Sequence, residues 1–234
     1  MARFFNLFRK IGPWALDLVF PLYCAGCGNQ GAVLCPACLA SLPQLRPPLC
    51  PVCAQPGPSG RCGWCAANPP AMDGIRAPFR MEGAIREAIH GFKYRGVRAA
   101  APELSLLLGS YLESNSLPGD VLVPVPLHPR RLRTRGYNQA ALLARELGKL
   151  TGLPVNEDLL RRTRDTPPQV QTGGRVERGR SMAGAFECAG DARGLAVILL
   201  DDVTTTGSTL SACAAALKQA GAASVWGLVL AKEA

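Results

Sequence analysis

Eight of the ten cysteines fall within residues 24–65, where they form four C-x-x-C pairs. A C-x-x-C pair holds two thiolates on one tight turn, and two such pairs complete a tetrahedral four-thiolate shell for Zn²⁺. Regular pairs suit zinc better than an iron–sulfur cluster. The pattern therefore predicts two closed structural zinc sites, whose ligands are Cys24, Cys27, Cys35, Cys38, Cys50, Cys53, Cys62 and Cys65.

The spacing of the four C-x-x-C units allows two ways of pairing them into zinc sites. Successive units are separated by seven, eleven and eight residues. The shorter gaps favour sequential pairing, the first unit with the second and the third with the fourth. An interleaved arrangement, the first with the third and the second with the fourth, stays open. In both arrangements the metal would supply folding free energy that this aliphatic-poor segment lacks.

Clustered thiols of this kind favour a reducing compartment. Basic residues near the start imitate a signal peptide, but Pro13 and Asp17 interrupt the apolar run and no A-x-A cleavage site follows. No membrane span is predicted, since no run of about eighteen apolar residues exists. We expect a cytoplasmic protein. Residues 4–22 predict an amphipathic packing helix, and attachment to the inner face of the membrane is the alternative.

Composition divides the chain into three segments. Residues 1–23 form the amphipathic helical segment, residues 24–70 the double zinc ribbon, and residues 71–234 an α/β domain. In that domain we predict helices over 82–92, 99–114, 137–150 and 207–220. We predict strands over 121–126, 196–200 and 224–230, with a short one near 153–156. Alternating strands and helices predict a mainly parallel sheet with helices on both faces.

The stretch VILLDDVTTTGSTL, residues 197–210, joins a buried strand to a helix. A helix beginning near Gly207 offers unpaired backbone N–H groups and a positive dipole end, which together with the neighbouring hydroxyls suit a terminal monophosphate. Asp201 and Asp202 would repel that phosphate, so we expect them to face vicinal sugar hydroxyls, with Mg²⁺ nearby. The combination predicts a 5-phosphoribose site. A helix cap beside two exposed acids would explain one hydroxyl but not five.

Other nucleotide-binding motifs are missing from the sequence. It has no G-x-x-x-x-G-K-[ST], which argues against a triphosphate-binding P-loop. No G-x-G-x-x-G follows a predicted strand, which argues against a Rossmann dinucleotide site. The phosphoribose interpretation is therefore preferred.

The same stretch resembles the PRPP-binding signature of type I phosphoribosyltransferases. Residues 123–139 and 164–186, together with the cysteine segment, resemble the ComF/GntX family of competence-type proteins, and the resemblance covers nearly the whole chain. It implies a type I phosphoribosyltransferase-like fold behind a zinc ribbon. It also implies that Asp201 and Asp202 act on the ribose of PRPP. The resemblance implies that Thr205, Thr206, Gly207, Ser208 and Thr209 hold the 5-phosphate, and that Val203 and Thr204 belong to the same PRPP-binding stretch.

The resemblance further implies two diphosphate-binding segments. The turn after the 121–126 strand matches a pyrophosphate loop containing His128, Arg130 and Arg131, with Arg133 and Arg135 adding charge. Residues 164–180 match a mobile lid, whose candidate contacts are Arg164, Gln169, Arg175, Arg178 and Arg180. Gly174 stands where leucine is usual in the family, which puts the packing of this lid in question.

Positive charge is concentrated in residues 128–180, which hold twelve basic and five acidic residues. Such a field attracts phosphorylated ligands or nucleic acid, although a solvated basic face is the simpler interpretation. The segment 91–96 (GFKYRG) mixes aromatic and basic residues, as single-strand binding surfaces do. Helix-end packing is the favoured interpretation of that segment.

Two functions remain open from sequence. One is transfer of a phosphoribosyl group from PRPP to an unknown acceptor, with Mg²⁺ and positioning by the protein. The other is a non-catalytic protein that uses PRPP as a regulatory ligand and binds single-stranded DNA. The family's link to DNA uptake favours this second role and a competence-associated membrane complex as a partner. The intact acid pair and hydroxyl loop argue against a third class, a zinc scaffold with a vestigial site.

Overall fold

The computed structural model describes residues 22–57, 59–94, 97–164, 182 and 184–233. The cysteine-rich part contains the short helices α1 (Pro36–Ala40) and α2 (Gly63–Ala67). The elements of the α/β part follow in chain order: β1 (Gly74–Arg76), β2 (Phe79–Arg80), α3 (Gly83–Tyr94), α4 (Ala100–Ser114), β3 (Val121–Pro124), α5 (Pro129–Arg135), α6 (Gln139–Thr151), β4 (Leu160–Arg162), β5 (Phe186–Cys188), β6 (Ala196–Thr204), α7 (Ser208–Gln219) and β7 (Ser224–Lys232).

The central sheet is parallel in all its described pairings. Its strand order is β1–β7–β6–β3, and β2 also pairs with β7. Strands β4 and β5 form a separate antiparallel pair. Because parallel strands end at the same edge, the carboxyl ends of β3, β6 and β7 lie together, where ligands of such sheets bind.

Helices cover both faces of this sheet. Side chains alternate along a strand, so Val197 and Leu199 of β6 join the core cluster that contains α7. Ile198 and Leu200 point the other way, into the cluster that contains α3, α4 and α6. This arrangement confirms the predicted fold class, a mainly parallel sheet with helices on both faces behind a cysteine-rich module.

Strand β6 is longer than its apolar run predicts. We expected a strand over 196–200 with the acid pair beyond it, but β6 continues to Thr204 because its ladder with β7 continues to Lys232. Its neighbour β3 ends at Pro124, and Val125 makes the next hydrogen bond to Leu200. The acid pair therefore lies on a part of β6 that pairs with β7 on one side but no longer with β3 on the other.

Other elements also depart from the prediction. Helix α5 occupies the position where we expected a turn, and it ends at Gly136, whose φ is +78°. The strand expected near 153–156 is a single bridge between Val155 and Leu122. Strands β1, β2, β4 and β5 were not predicted. Each has only two or three residues, which is too few to show a hydrophobic period.

The cysteine-rich part is joined to the α/β part by several hydrogen bonds. The Glu103 carboxylate on α4 accepts from the backbone N–H groups of Val33 and Leu34 at 3.0–3.2 Å. Ile75 of β1 donates its N–H to the carbonyl of Val52 at 2.8 Å. These contacts hold the first part of the cysteine-rich segment against α4 and the second part against β1. Within the residues that the structure describes, every helix is too short or too polar to cross a bilayer.

Candidate functional site

The eight clustered cysteines form two four-thiol groups. Cys24, Cys27, Cys35 and Cys38 make one, and Cys50, Cys53, Cys62 and Cys65 make the other, each with its sulfur atoms within 4.8 Å of one another. This is the sequential pairing of C-x-x-C units, so the interleaved alternative is wrong.

The geometry of both groups fits Zn²⁺. A tetrahedral site with Zn–S bonds of about 2.3 Å has sulfur–sulfur edges near 3.8 Å. The Sγ atoms of Cys27 and Cys35 lie 3.6 Å apart, and those of Cys53 and Cys62 lie 3.7 Å apart. The donor set and spacing therefore support two structural zinc sites.

The thiols in the first group would not ionise equally without a cation. Burial opposes ionisation of Cys24, but the N–H groups of Cys35, Cys27 and Gly26 outweigh it and lower its pKa to about 6. Hydrogen bonding to the Cys24 and Cys35 thiols raises the pKa of Cys38 to about 12. In the second group, backbone N–H groups likewise overcome burial and lower the pKa of Cys50 to about 6. A bound dication would favour the thiolate form of all four ligands.

The acid pair lies at the carboxyl end of β6 with its two side chains on opposite faces of the strand. Asp202 is buried and follows Ile198 and Leu200 toward α3. Asp201 is half-buried, and its Oδ1 accepts a hydrogen bond from the N–H of Asp202 at 2.9 Å. The alternation lets two neighbouring carboxylates coexist without facing each other directly.

Asp202 has a close cationic partner. Nζ of Lys93, near the end of α3, lies 2.9 Å from its Oδ1. Burial opposes the charge on Lys93, but Asp202 more than compensates and raises the pKa of the lysine. One carboxylate of the pair is therefore neutralised within the protein.

Asp201 has a different electrostatic environment. Burial is the main cause that raises its pKa to about 7, and the negative charge of Asp202 adds to the effect. Lys93 and Arg135 oppose the shift with their positive charges. A carboxyl group poised near neutrality can be drawn into its charged form by a bound cation.

The hydroxyl-rich loop after β6 ends in a left-handed glycine. Gly207 has a φ of +80° and precedes α7, and a Cβ at this position would lie 2.9 Å from Ile75 Cδ1. The left-handed backbone conformation favours glycine, and a Cβ here would also crowd the end of the Ile75 side chain. The hydroxyls of Thr206 and Ser208 lie 2.7 Å apart and form a hydrogen bond with each other at the start of the helix.

A lysine supports this loop from the interior. Lys232, the last residue of β7, is only 1% exposed, and its ammonium donates to the carbonyls of Thr205 and Glu233. In a trans peptide the carbonyl and the next N–H point in opposite directions. Holding the Thr205 carbonyl inward therefore directs the Thr206 N–H outward.

A cavity of about 200 Å³ opens beside the acid pair. Its wall includes Asp201, Asp202 and Thr209. Four cationic side chains from three elements also line it: Lys93 of α3, Arg131 and Arg135 of α5, and Arg162 of β4. Acids and cations in one cleft suit a ligand that carries both hydroxyls and anionic groups.

The predicted diphosphate contacts have different environments in the structure. Arg131 lines the cavity, whereas His128 caps α5, its Nδ1 accepting from the N–H of Arg130 at 3.3 Å. Arg130 and Arg133 are exposed on α5. Arg164 is exposed after β4. The remaining lid candidates lie outside the described residues: Gln169, Arg175, Arg178 and Arg180.

Lys93 and Arg162 were missed as site residues by the sequence analysis. Lys93 continues the buried face of α3 four residues after Ile89, so a lysine on an apolar helical stripe was an available signal. Arg162 lies on β4, a three-residue strand with no periodic signal. Only the tertiary structure brings it to the cavity.

Comparison with known proteins agrees with these features. Residues 15–68 match the double zinc ribbon domain family. The DNA utilization protein YhgH of Salmonella typhi is 34% identical over 199 residues, which cover 82% of this chain and 87% of that protein. Competence protein ComFC of Bacillus subtilis is 29% identical over 206 residues, covering 81% of this chain and 80% of that protein.

A solved structure with weaker likeness is the glutamine phosphoribosylpyrophosphate amidotransferase of B. subtilis complexed with ADP and GMP. Its TM-score is 0.39 at 19% identity. The match covers 57% of this chain and 26% of that chain. Nothing about activity follows from a likeness at this level.

The parallel sheet with helices on both faces and the paired four-cysteine groups define an α/β protein with an amino-terminal double zinc ribbon. The identity and coverage of the relatives then identify the family. The chain belongs to the ComF/GntX family, as the resemblance of its motifs indicated.

Proposed function

We propose that the chain binds PRPP in the cavity at the carboxyl end of β6 and can transfer its phosphoribosyl group to an acceptor. The observation that carries this proposal is the shared cavity, in which Asp201, Asp202 and Thr209 meet four cationic side chains. A sugar diol needs acceptors, and a diphosphate needs positive charge. The wall of this cavity offers both.

The acids would bind the ribose hydroxyls. Asp201 has one oxygen bonded to the Asp202 N–H, and Asp202 has one oxygen bonded to Lys93. Each carboxylate has a second oxygen that is able to accept from a hydroxyl. Thr205, Thr206, Gly207, Ser208 and Thr209 would surround the 5-phosphate, and Val203 and Thr204 at the end of β6 would complete the PRPP-binding stretch.

The cations would act on the leaving group. In the transfer, the bond between C1 and the diphosphate oxygen breaks, and a lone pair of the acceptor forms the new bond to C1. Arg131, Arg135 and Arg162 would stabilise the charge that develops on the diphosphate. Mg²⁺, when bound, would neutralise diphosphate oxygens, and the Asp201 carboxylate is a suitable hard ligand for it.

Calorimetry with PRPP and Mg²⁺ tests the binding step. The unaltered protein should release or absorb heat on titration, and Asp201→Asn/Asp202→Asn should not. Asp158→Asn, an exposed change outside the cavity, is the matched control and should behave as the unaltered protein. A flat titration of correctly folded protein would contradict the proposal. Release of pyrophosphate with candidate bases and DNA then tests transfer.

A second function is binding of single-stranded DNA, with PRPP as a regulatory ligand. It is favoured by the basic segment 128–180 and by relatives named for DNA utilization and competence. Phosphate-backbone binding should weaken about 10³-fold or more between 50 and 200 mM salt for six or more contacts. If Asp201→Asn/Asp202→Asn abolishes PRPP binding but preserves DNA binding, the two activities are separate.

The cellular setting follows from this second function. A cytoplasmic protein that handles incoming DNA would work beside a competence-associated membrane complex. The segment 1–23 is the candidate for peripheral contact with the membrane. Removing it should release the protein from anionic vesicles without changing PRPP binding.

A further inference from the structure

Tyr94, the last residue of α3, has an unusual exposure for its position. The residue is 73% exposed, whereas Ile89 and Phe92 on the same helix are fully buried. It also lines the same cavity as Asp201 and Asp202. An exposed aromatic ring on the wall of a polar cavity is a candidate ligand contact rather than a core residue.

The Tyr94 ring is braced by cationic and aromatic neighbours. The Arg135 guanidinium carbon lies 5.3 Å from the ring centroid. The His90 ring meets it edge-on, with centroids 6.0 Å apart and planes at 87°. Two neighbouring side chains therefore support the ring, although most of the tyrosine's surface faces solvent.

The guanidinium beside the ring is itself fixed by a buried side chain. Nη1 of Arg135 donates to Oε1 of Gln139 at 2.7 Å. Gln139 is 2% exposed, and its Nε2 donates to the Phe92 carbonyl at 3.4 Å. Since Phe92 and Tyr94 belong to the same helix end, this chain of contacts ties the guanidinium to the helix that carries the ring. The stacking surface is thus preorganised, which reduces the ordering cost of binding.

The position of this surface relative to the acid pair is also fixed. Lys93, the neighbour of Tyr94 in the chain, is the residue whose Nζ contacts Asp202. Arg135 is close enough to Asp201 to oppose its raised pKa. A planar group stacked on Tyr94 would therefore lie next to any ligand held by the two acids.

We propose that Tyr94 and Arg135 form a stacking site for a nucleobase. A tyrosine ring and a planar guanidinium are the groups on which bases stack without sequence preference. As a site for the acceptor, the proposal rests on the proposed PRPP function. The stacking itself does not need PRPP. The base can come from a free purine or from a single strand, and the two sources share this chemistry.

The fluorescence of 2-aminopurine, which falls when the base stacks, tests the proposal on the full chain. One arm uses free 2-aminopurine, and the other uses a single strand of about twelve nucleotides carrying one 2-aminopurine. Tyr94→Ala should weaken binding of the probe by about 5- to 150-fold, the range for loss of one base–aromatic stack. Tyr94→Phe should retain binding, because it keeps the ring. Arg135→Lys should weaken binding, because it keeps the charge but loses the plane.

Tyr23 provides the matched control. It is 56% exposed but belongs to the cysteine-rich part, so Tyr23→Ala should quench and bind as the unaltered protein does. Quenching of free 2-aminopurine alone indicates a site for a free base. Quenching in both arms indicates a site that accepts a base from either source. Equal binding by Tyr94→Ala and the unaltered protein, or no quenching of either probe, would overturn the proposal. Calorimetry with PRPP on the same variants separates this result from the proposed function. If the unaltered protein does not bind PRPP, the proposed function fails, but quenching that depends on Tyr94 would still support the stacking site.

Discussion

The ammonium of Lys93 lies 2.9 Å from Oδ1 of Asp202, which ties the end of α3 to the end of β6. The pair is formed by a lysine on a helical face that is otherwise apolar and by an acid on the sheet face that this helix covers. Its position beside the cavity means that the proposed ribose site already contains a compensating positive charge. Any ligand that binds Asp202 must share it with Lys93.

Lys93→Met should destabilise the fold. It leaves the buried Asp202 carboxylate without its cation, and removal of one partner from a buried ion pair costs about 3–5 kcal/mol. Urea unfolding at neutral pH measures the change. Lys93→Met/Asp202→Asn is the control, since it removes both charges and should recover part of the lost stability. Equal stability of Lys93→Met and the unaltered protein would show that the pair contributes nothing.

Asp201 should make stability fall as the pH rises from about 4 to about 7. Burial raises its pKa to about 7 from the ordinary carboxyl value of 3.8, so over this range the folded state binds more protons at this site than the unfolded state does. The free energy of unfolding then decreases with pH. Asp201→Asn should lack this component, and its stability relative to the unaltered protein should therefore increase toward pH 8. Asp158→Asn is the matched change at an exposed acid, and an identical pH profile for both variants would contradict the assignment.

Lys232→Met should weaken PRPP binding by about fivefold, because the one hydrogen bond from Lys232 to the loop, to the Thr205 carbonyl, is worth about 1 kcal/mol. Methionine fills similar space but cannot donate to the carbonyls of Thr205 and Glu233, so the Thr206 N–H loses its fixed direction. Calorimetry measures the affinity, and urea unfolding measures stability. Lys218→Met is the control, because Lys218 pairs with Asp73, which directly precedes β1 at the opposite edge of the sheet from the loop. Unchanged affinity in Lys232→Met would show that the lysine does not contribute to ligand binding through the loop.

Zinc content should distinguish the two ways of pairing the C-x-x-C units. Cys50→Ser/Cys62→Ser removes two ligands from one four-thiol group, so the purified protein should keep the zinc of the other group. Interleaved pairing would spread these two changes over both sites and lower both occupancies. Elemental analysis of the purified variant gives the answer. Cys188→Ser, outside both groups, should leave the zinc content unchanged.

The sequence alone determined the cysteine ligands, the parallel sheet and the acid–hydroxyl stretch, because each depends on local spacing or on a period that a short window of residues displays. The four C-x-x-C pairs define ligand turns, and the apolar runs of β6 and β7 define buried strands. Gly207 has the left-handed backbone conformation that favours glycine at the turn into α7. That preference is also local, because it depends on one residue's own backbone angles.

The tertiary structure decided which distant residues meet. The pairing of the C-x-x-C units depends on how the ribbon folds back, and spacing favoured one answer without requiring it. Lys93, Arg135 and Arg162 reach the cavity from α3, α5 and β4, which are far apart in the chain. Long-range packing also set the end of β6, since its ladder with β7 continues past the point where β3 stops. Contacts of this kind arise from the closure of the whole sheet. A local pattern can mark a lysine on an apolar helical stripe, but it does not tell which distant acid that lysine meets.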